Sequence, residues 1–156
     1  IGRNSIITIE NIVNNLSTNE TNTSGGDAIA RYITRRVNLK DGFDATSLKM
    51  FVTANRQSGS SIKVYYKVLS QFDADTFEDR PWQDMKEASN ANTVSDDVNE
   101  FLELEYVPDN VSESTDYVTS SVTYDSFKTF AIKIVMNSST TTRVPLLKDM
   151  RAIALA

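Results

Sequence analysis

The side chains of this sequence that could carry chemistry are mainly carboxylates, because the 156 residues include no His and no Cys. That absence excludes Ser-His-Asp and Cys-His triads, zinc sites built on His or Cys, and disulfides. The acids Asp73, Asp75, Glu78 and Asp79 lie close together, and calcium takes six to eight oxygen ligands of this kind. The stretch lacks the Gly and the spaced Glu of a helix-loop-helix calcium loop. A solvated turn is therefore the favoured interpretation, and we predict no metal site and no cofactor.

Paired carboxylates also hydrolyse glycosidic bonds when the protein holds them at the right separation. The acids of this chain cluster on predicted loops, and no catalytic motif surrounds them. A Gly-rich phosphate loop is missing too, since Gly25-Gly26 is followed by Asp27 and not by a Lys-Ser or Lys-Thr pair. We therefore predict that the protein is not an enzyme and has no catalytic residues.

Trp82 is the only tryptophan, and it lies in an otherwise polar segment after Pro81. An aromatic face with polar neighbours can stack on a sugar ring, so Trp82 with Asp73 and Asp75 forms a candidate ligand loop. The alternative is a core tryptophan that packs against the strands, and we favour this alternative.

Acidic residues are concentrated in residues 71–116, which carry 14 acids and 2 bases. The rest of the chain carries 14 bases and 7 acids, and the formal net charge is −5. Such a chain could pack a negative surface of one copy against a positive surface of another. Charge runs are more often solvated faces, which is the favoured interpretation.

Arg35-Arg36 is the only adjacent basic pair, and its side chains face opposite sides of a strand, so no nucleic-acid partner is predicted.

Alternation of apolar and polar residues predicts one strand after another from residue 30 onward. No amphipathic helix of ten or more residues is predicted there. This pattern is typical of an all-β protein, and we predict an antiparallel β-sandwich related to the jelly roll. The predicted strands are 30–39, 47–54, 61–70, 100–107, 127–137 and 144–156, with a short strand within 117–124. The acidic stretch 71–99 is predicted as irregular, and Pro81 leaves a short helical turn or an edge strand open there. Because the turn between 47–54 and 61–70 is short, we expect these two strands to pair as a hairpin.

The chain divides into a predicted N-terminal arm (1–13), a polar linker (14–29) and a β-sandwich domain (30–156). Ile7 and Ile9 alternate with polar residues in the arm, as in a strand, although the arm also fits one helical face. Its apolar residues are candidate interface residues: Ile6, Ile7, Ile9, Ile12 and Val13. No apolar run approaches ~18 residues, so no membrane span is predicted. Since the first residue is Ile and not Met, we expect a cut end, a processed end or a piece of a longer protein.

Three stretches, residues 30–56, 61–85 and 127–155, together resemble a domain of virion structural proteins of T4-like tailed phages, especially those of marine cyanobacteria. These proteins belong to the tail, baseplate or fibre region. The resemblance covers most of residues 30–156, and the order and spacing of four motifs carry it. The motifs are Arg31-Tyr32-Ile33-Thr34, Asp41-Gly42-Phe43, Val64-Tyr65-Tyr66-Lys67 and Lys148-Asp149-Met150-Arg151-Ala152-Ile153-Ala154. The resemblance implies assembly within a virion and not catalysis, and it assigns no functional residues.

Two functions follow as hypotheses. In the first, the domain is an assembly module of the tail or baseplate that binds other virion proteins and copies of itself, and the arm pairs with another sheet edge or packs on another subunit. In the second, the loops at 71–99 and 111–126 bind a host receptor or a surface glycan, as a carbohydrate-binding domain of a tail fibre would.

Overall fold

The structure, a computed structural model, describes residues 17–89 and 92–156. The arm and its five candidate interface residues therefore lie outside the described residues. The described part of the chain contains ten strands and no helix, and accordingly no helix long and apolar enough to cross a membrane. The all-β prediction is confirmed. The strands are β1 (Arg31–Ile33), β2 (Val37–Asn38), β3 (Ser47–Asn55), β4 (Ser60–Leu69), β5 (Gln83–Ser89), β6 (Leu102–Pro108), β7 (Tyr117–Thr119), β8 (Val122–Tyr124), β9 (Thr129–Ser138) and β10 (Leu146–Leu155).

Eight of the strands form one curled antiparallel sheet in the order β1-β9-β4-β5-β6-β3-β10, with β2 also paired to β9. The strands β7 and β8 form a separate two-stranded sheet. The sheet curls so that its first half, around β9 and β4, faces its second half, β6, β3 and β10. This arrangement is compatible with a sandwich, and its relation to the jelly roll stays a prediction.

The main core lies between these two halves and is built by period-two alternation. Alternate residues of β3, from Leu48 to Ala54, are fully buried, and they pack with Ile132 and Ile134 of β9. The intervening residues of β3 are only half-buried. One face of each of these strands therefore supplies the core, as the sequence pattern indicates.

The opposite face of β4 and β9 is also covered, by a second apolar cluster. Tyr65 of β4 and Val135 of β9 lie in this cluster, together with Phe77 and Trp82 from the segment before β5. The strands β4 and β9 are consequently buried on both faces, which explains the nearly continuous apolar run of β9.

The predicted hairpin between 47–54 and 61–70 is wrong. The strand β3 pairs with β6 and β10, whereas β4 pairs with β9 and β5. The turn at 56–59, closed by the Ser60 N–H donating to Gln57 O at 3.0 Å, carries the chain from one half of the sheet to the other. Both strands direct apolar side chains into the same core, and the two apolar faces pack against each other instead of lying side by side.

Two further strand predictions need correction. The single predicted strand 30–39 is divided into β1 and β2 at Thr34. The Thr34 N–H still donates to Ile132 O at 2.9 Å, but the Ile132 N–H donates to Thr34 Oγ1, at 3.0 Å, in place of a backbone carbonyl. The stretch 71–99, predicted as irregular, contains β5 in the middle of the sheet. Four of the seven residues of β5 are charged or amide-bearing, so its sequence lacks the alternation that marks the other strands.

Candidate assembly interface

Residues 17–29 form a compact run of turns on the outer face of β4 and β9. The Trp82 N–H donates to Thr21 O at 3.0 Å, and the Asp27 N–H donates to Thr18 O at 3.1 Å. Asp27 also accepts hydrogen bonds from the side chains of Thr18 and Asn19, which lower its pKa below the usual value. The described part of the predicted linker is therefore in contact with the domain, while the division into arm, linker and domain stays a prediction.

A buried ion pair fastens this segment to the sheet. Lys133 of β9 is fully buried, and its Nζ lies 2.9 Å from Glu20 Oε2. The same ammonium donates to Glu20 O at 2.6 Å and to Gly25 O at 2.8 Å, so all three donors have acceptors. Burial lowers the pKa of Lys133, and the hydrogen bond and charge of Glu20 act in the opposite direction. The pair holds residues 20–25 on the sheet.

Trp82, the candidate ligand residue, is only 5% exposed and belongs to the second apolar cluster, so the favoured interpretation as a core tryptophan is confirmed. Its ring lies 5.2 Å from Lys133 Nζ and 5.1 Å from Lys67 Nζ, within the range of cation–π attraction. It packs in the second apolar cluster, on the outer face of β4 and β9, beneath residues 17–29. A sugar would have to displace this cover to stack on the indole, and a role of Trp82 in ligand binding stays a prediction.

Asp73 and Asp75 interact with Arg80 and with the two-stranded sheet. Asp73 accepts a hydrogen bond from the Tyr117 hydroxyl at 2.8 Å, and Asp75 accepts one from Thr119 Oγ1 at 3.1 Å. The Arg80 guanidinium lies 3.8 Å from the centre of the Tyr117 ring. Within residues 17–89 and 92–156 no group of three or more acids is arranged to hold a metal ion. These contacts connect the 71–82 loop to β7.

The acidic stretch and the basic remainder of the chain pair with each other inside the fold. Five acids within 71–116 contact bases from outside it, and the outer face of β6, β3 and β10 carries two of these ion pairs. The pairs are Glu105–Lys49 at 2.9 Å, Glu103–Arg151 at 2.8 Å, Asp96–Arg143 at 2.9 Å, Glu78–Arg36 at 3.3 Å, and Glu87–Arg56. These pairs balance five of the fourteen acids of 71–116 within one molecule.

The strand β10 ends the sheet, and no strand among the described residues pairs with its outer edge. Ala152 and Ala154 lie opposite Met50 and Leu48 of β3, so their side chains face the core. Ala152 is nevertheless exposed and Ala154 is partly exposed, whereas both β3 partners are fully buried. The core is therefore incompletely covered along β10.

The other end of the sheet shows the same feature. Tyr32 of β1 lies opposite Ile134 of β9, and Val37 of β2 lies opposite Phe130, so both side chains are on the core side. Tyr32 is 51% exposed and Val37 is 40% exposed. Both edges of the curled sheet thus present core-facing apolar side chains to solvent. The strands β1 and β2 are short, as ordinary edge strands are, whereas β10 has ten residues and is the longer uncovered edge among the described residues.

A polar cleft opens where β4 and β5 separate, because these strands pair only over Val64–Tyr66 and Gln83–Met85. The cleft has a volume of about 310 Å³ and is lined partly by Lys63, Glu87 and Asn92. The Asn92 N–H donates to Glu87 Oε2 at 2.9 Å, which fixes the carboxylate in place. Sequence reasoning missed this cleft, because nothing in the local sequence indicates that β4 and β5 diverge.

Comparisons with known protein families, with curated protein sequences and with solved structures find no match to this chain. The resemblance to virion proteins of T4-like phages therefore stays a prediction.

Proposed function

We propose that this chain is a structural protein of a phage virion and a non-catalytic assembly module of the tail or baseplate region. It acts through contacts with other virion proteins and with copies of itself. The observation that carries this proposal is the exposure of core-facing side chains along both edges of the sheet, Tyr32 and Val37 at one end and Ala152 at the other. An assembly protein covers such edges with a neighbouring subunit.

The phage assignment and the virion location rest on the resemblance. Two of its four motifs coincide with the edge strands, since residues 31–34 include β1 and residues 148–154 lie within β10. Motifs at exposed edges are expected where a family shares contacts between subunits. The internal pairing of charges also supports an interface built on strand edges and apolar contacts rather than on opposite surface charges.

The test is the solution mass of residues 1–156 by light scattering at low and at high salt. We expect an oligomer, with a mass that is a multiple of 17.4 kDa, at both salt concentrations, because apolar contacts and strand pairing are not screened as exposed charges are. A monomer at both concentrations would contradict the proposed self-assembly. An oligomer that dissociates at high salt would contradict the strand edges as the interface.

A matched pair of variants locates the interface. Ile153 of β10 is 40% exposed and Val118 of β7 is 65% exposed, and neither belongs to the core cluster. We expect Ile153→Lys to lower the oligomer mass and Val118→Lys to leave it unchanged. Equal effects of the two substitutions would exclude the β10 edge.

A second candidate function is binding of a host-surface glycan, and the cleft between β4 and β5 favours it. Sugars are bound by fixed polar side chains, and Lys63 and Asn92 offer such groups around the held carboxylate of Glu87. A broad glycan screen with and without calcium tests this candidate. Binding that Asn92→Ala removes while leaving the fold intact would support it, and a blank screen would contradict it.

A further inference from the structure

The second half of β10, residues 150–155, is an open edge without the features that usually block strand addition. The irregularity in pairing with β3 lies between Leu147 and Asp149, and Pro145 precedes the strand. From Met150 onward the pairing with β3 is regular, and Arg151 is the only charged side chain. Proline, bulges and inward charges protect natural edge strands. The protected part of β10 is therefore its beginning, and the rest can accept a strand.

The core side of this edge has room for large apolar side chains on an added strand. The core-facing residues at positions 152 and 154 are both alanine, and they are incompletely covered. A strand added beside β10 would place residues two apart on the same face next to these alanines. Two bulky apolar residues in an i, i+2 arrangement on the added strand would therefore cover this part of the core.

The arm has that arrangement. Ile7 and Ile9 alternate with Thr8 and Glu10, so a strand over this stretch places the two isoleucines on one face and the two polar residues on the other. With the isoleucines toward the core, Thr8 and Glu10 would lie on the outer face, where Arg151 of β10 also lies. The polar and apolar sides of the arm match the outer and inner sides of the edge.

The position of Ser17 favours an arm from a neighbouring copy. Ser17 lies on the outer face of β4, where its Oγ accepts a hydrogen bond from Lys63 Nζ at 3.1 Å. The strand β10 belongs to the opposite half of the sheet, and packed sheets lie about 10 Å apart. The four residue steps from Val13 to Ser17 span at most about 14 Å even when fully extended. To place residues 6–13 of the same chain on β10, this linker would have to cross the distance between the two halves of the sheet and also the layer formed by β4 and β9.

We propose that residues Ile6–Val13 of one copy add to the open edge of β10 of a neighbouring copy as an antiparallel strand, with Ile7 and Ile9 completing the core beside Ala152 and Ala154. This inference rests on the proposed assembly function and names its donor and its acceptor. Because donor and acceptor are different surfaces, the contact closes as a reciprocal exchange of arms in a two-fold dimer or as a ring, or it continues as an open filament.

Cross-linking tests the contact directly, since the chain contains no Cys and introduced thiols are unique. The singly substituted chains Thr8→Cys and Ile153→Cys are mixed in equal amounts and treated with a short bismaleimide. The control mixture is Thr8→Cys with Val118→Cys, which places the second thiol on the exposed β7. We expect a cross-linked dimer in the first mixture at a yield roughly ten-fold or more above the control, because pairing raises the effective concentration of the two thiols.

Equal yields in the two mixtures, or cross-linking only within a chain that carries both Thr8→Cys and Ile153→Cys, would overturn the proposal. Light scattering of arm variants distinguishes failure of the proposed contact between the arm and β10 from failure of the proposed assembly function. We expect Ile7→Asp and Ile9→Asp to convert the oligomer to monomer, and Thr8→Asp to leave it intact. If all three variants keep the oligomer, the arm is not the donor although assembly stands. If the unsubstituted chain is already a monomer, the assembly function fails with it.

Discussion

At the scale of single residues, the most unusual side chain is Lys133, a lysine with no solvent exposure in the middle of β9. A buried charge is tolerated when it is paired and fully hydrogen-bonded. Glu20 supplies both conditions, since its carboxylate pairs with the ammonium and its backbone carbonyl accepts a further hydrogen bond. The remaining Glu20 oxygen accepts from the Ala28 N–H at 2.8 Å. The pair therefore couples the turns of residues 17–29 to the centre of the sheet.

The substitution Glu20→Ala tests this coupling. It leaves the Lys133 charge buried without a carboxylate, and we expect it to lower the free energy of unfolding by about 3–5 kcal/mol. The matched control is Glu78→Ala, which removes a carboxylate from the exposed pair with Arg36 and should change the free energy of unfolding by ~0–1 kcal/mol. Denaturant unfolding near neutral pH measures both. Equal small losses would mean that residues 17–29 are not fastened to the sheet in solution.

At the scale of elements, the sequence predicts most strands but not their partners. Alternation assigns faces, so the extents of β3, β4, β6 and β9 agree with the pattern. It does not assign neighbours, and β3 and β4 pair with other strands because a turn takes the chain across the core. The strand β5 escapes prediction since Glu87, which faces the core side, pairs with Arg56 and does not follow the apolar alternation that marks a strand.

The sequence likewise predicts one part of the candidate interface and not the other. The apolar arm is visible in the sequence because five β-branched residues cluster ahead of a polar stretch. The incomplete cover of β10 is not visible, since it depends on which strand ends the sheet. The core position of Trp82 is the favoured interpretation of its sequence, but the sequence does not show that the turns of residues 17–29 cover it.

A pair of glycine substitutions tests the placement of those turns. Gly26 and Gly42 both have positive φ values, of 83° and 81°. A Cβ at position 26 would lie 2.6 Å from Glu20 Cα, whereas a Cβ at position 42 would meet nothing within 4 Å. We expect Gly42→Ala to cost about 1–2 kcal/mol from the left-handed backbone alone. Gly26→Ala should cost about 1–3 kcal/mol more, because overpacking adds to that strain.

Thermal or denaturant unfolding of the two glycine variants provides the comparison. Both variants replace a glycine of positive φ by alanine. The difference between their free energies of unfolding therefore reports the close contact with Glu20. Similar losses for the two would show that residues 17–29 do not pack as described.

At the scale of the whole molecule, distant parts of the chain neutralise each other. Five acids of 71–116 pair with bases outside that stretch, and both side chains are at least half exposed in two of these pairs, Glu78–Arg36 and Glu103–Arg151. Each exposed pair adds little stability, and the five pairs together offset five of the fourteen acids in that stretch. The proposed interface is built on the uncovered edges of the sheet and not on surface charge, and this is why we expect it to persist at high salt.

Tyrosine burial gives the whole molecule a predictable response to alkaline pH. Burial raises the pKa of Tyr65, Tyr66 and Tyr117 to about 12, and it raises the pKa of Tyr106 as well. An unfolded tyrosine titrates near pH 10, so above that pH the unfolded chain loses these protons before the folded chain does. The stabilisation is therefore complete below about pH 10 and is lost as the pH rises toward 12.

We accordingly expect the free energy of unfolding to fall steadily between about pH 10 and 12, and the near-ultraviolet tyrosinate absorbance of the folded protein to lag behind that of the unfolded chain. Burial lowers the pKa of Lys67 and Lys133, which opposes this trend, but the tyrosines outnumber these lysines. The substitution Tyr66→Phe removes one such proton and should flatten the fall by up to about 1.4 kcal/mol per pH unit. An unchanged slope in this variant would contradict burial of the Tyr66 phenol, and with it the packing of β4 against the second half of the sheet.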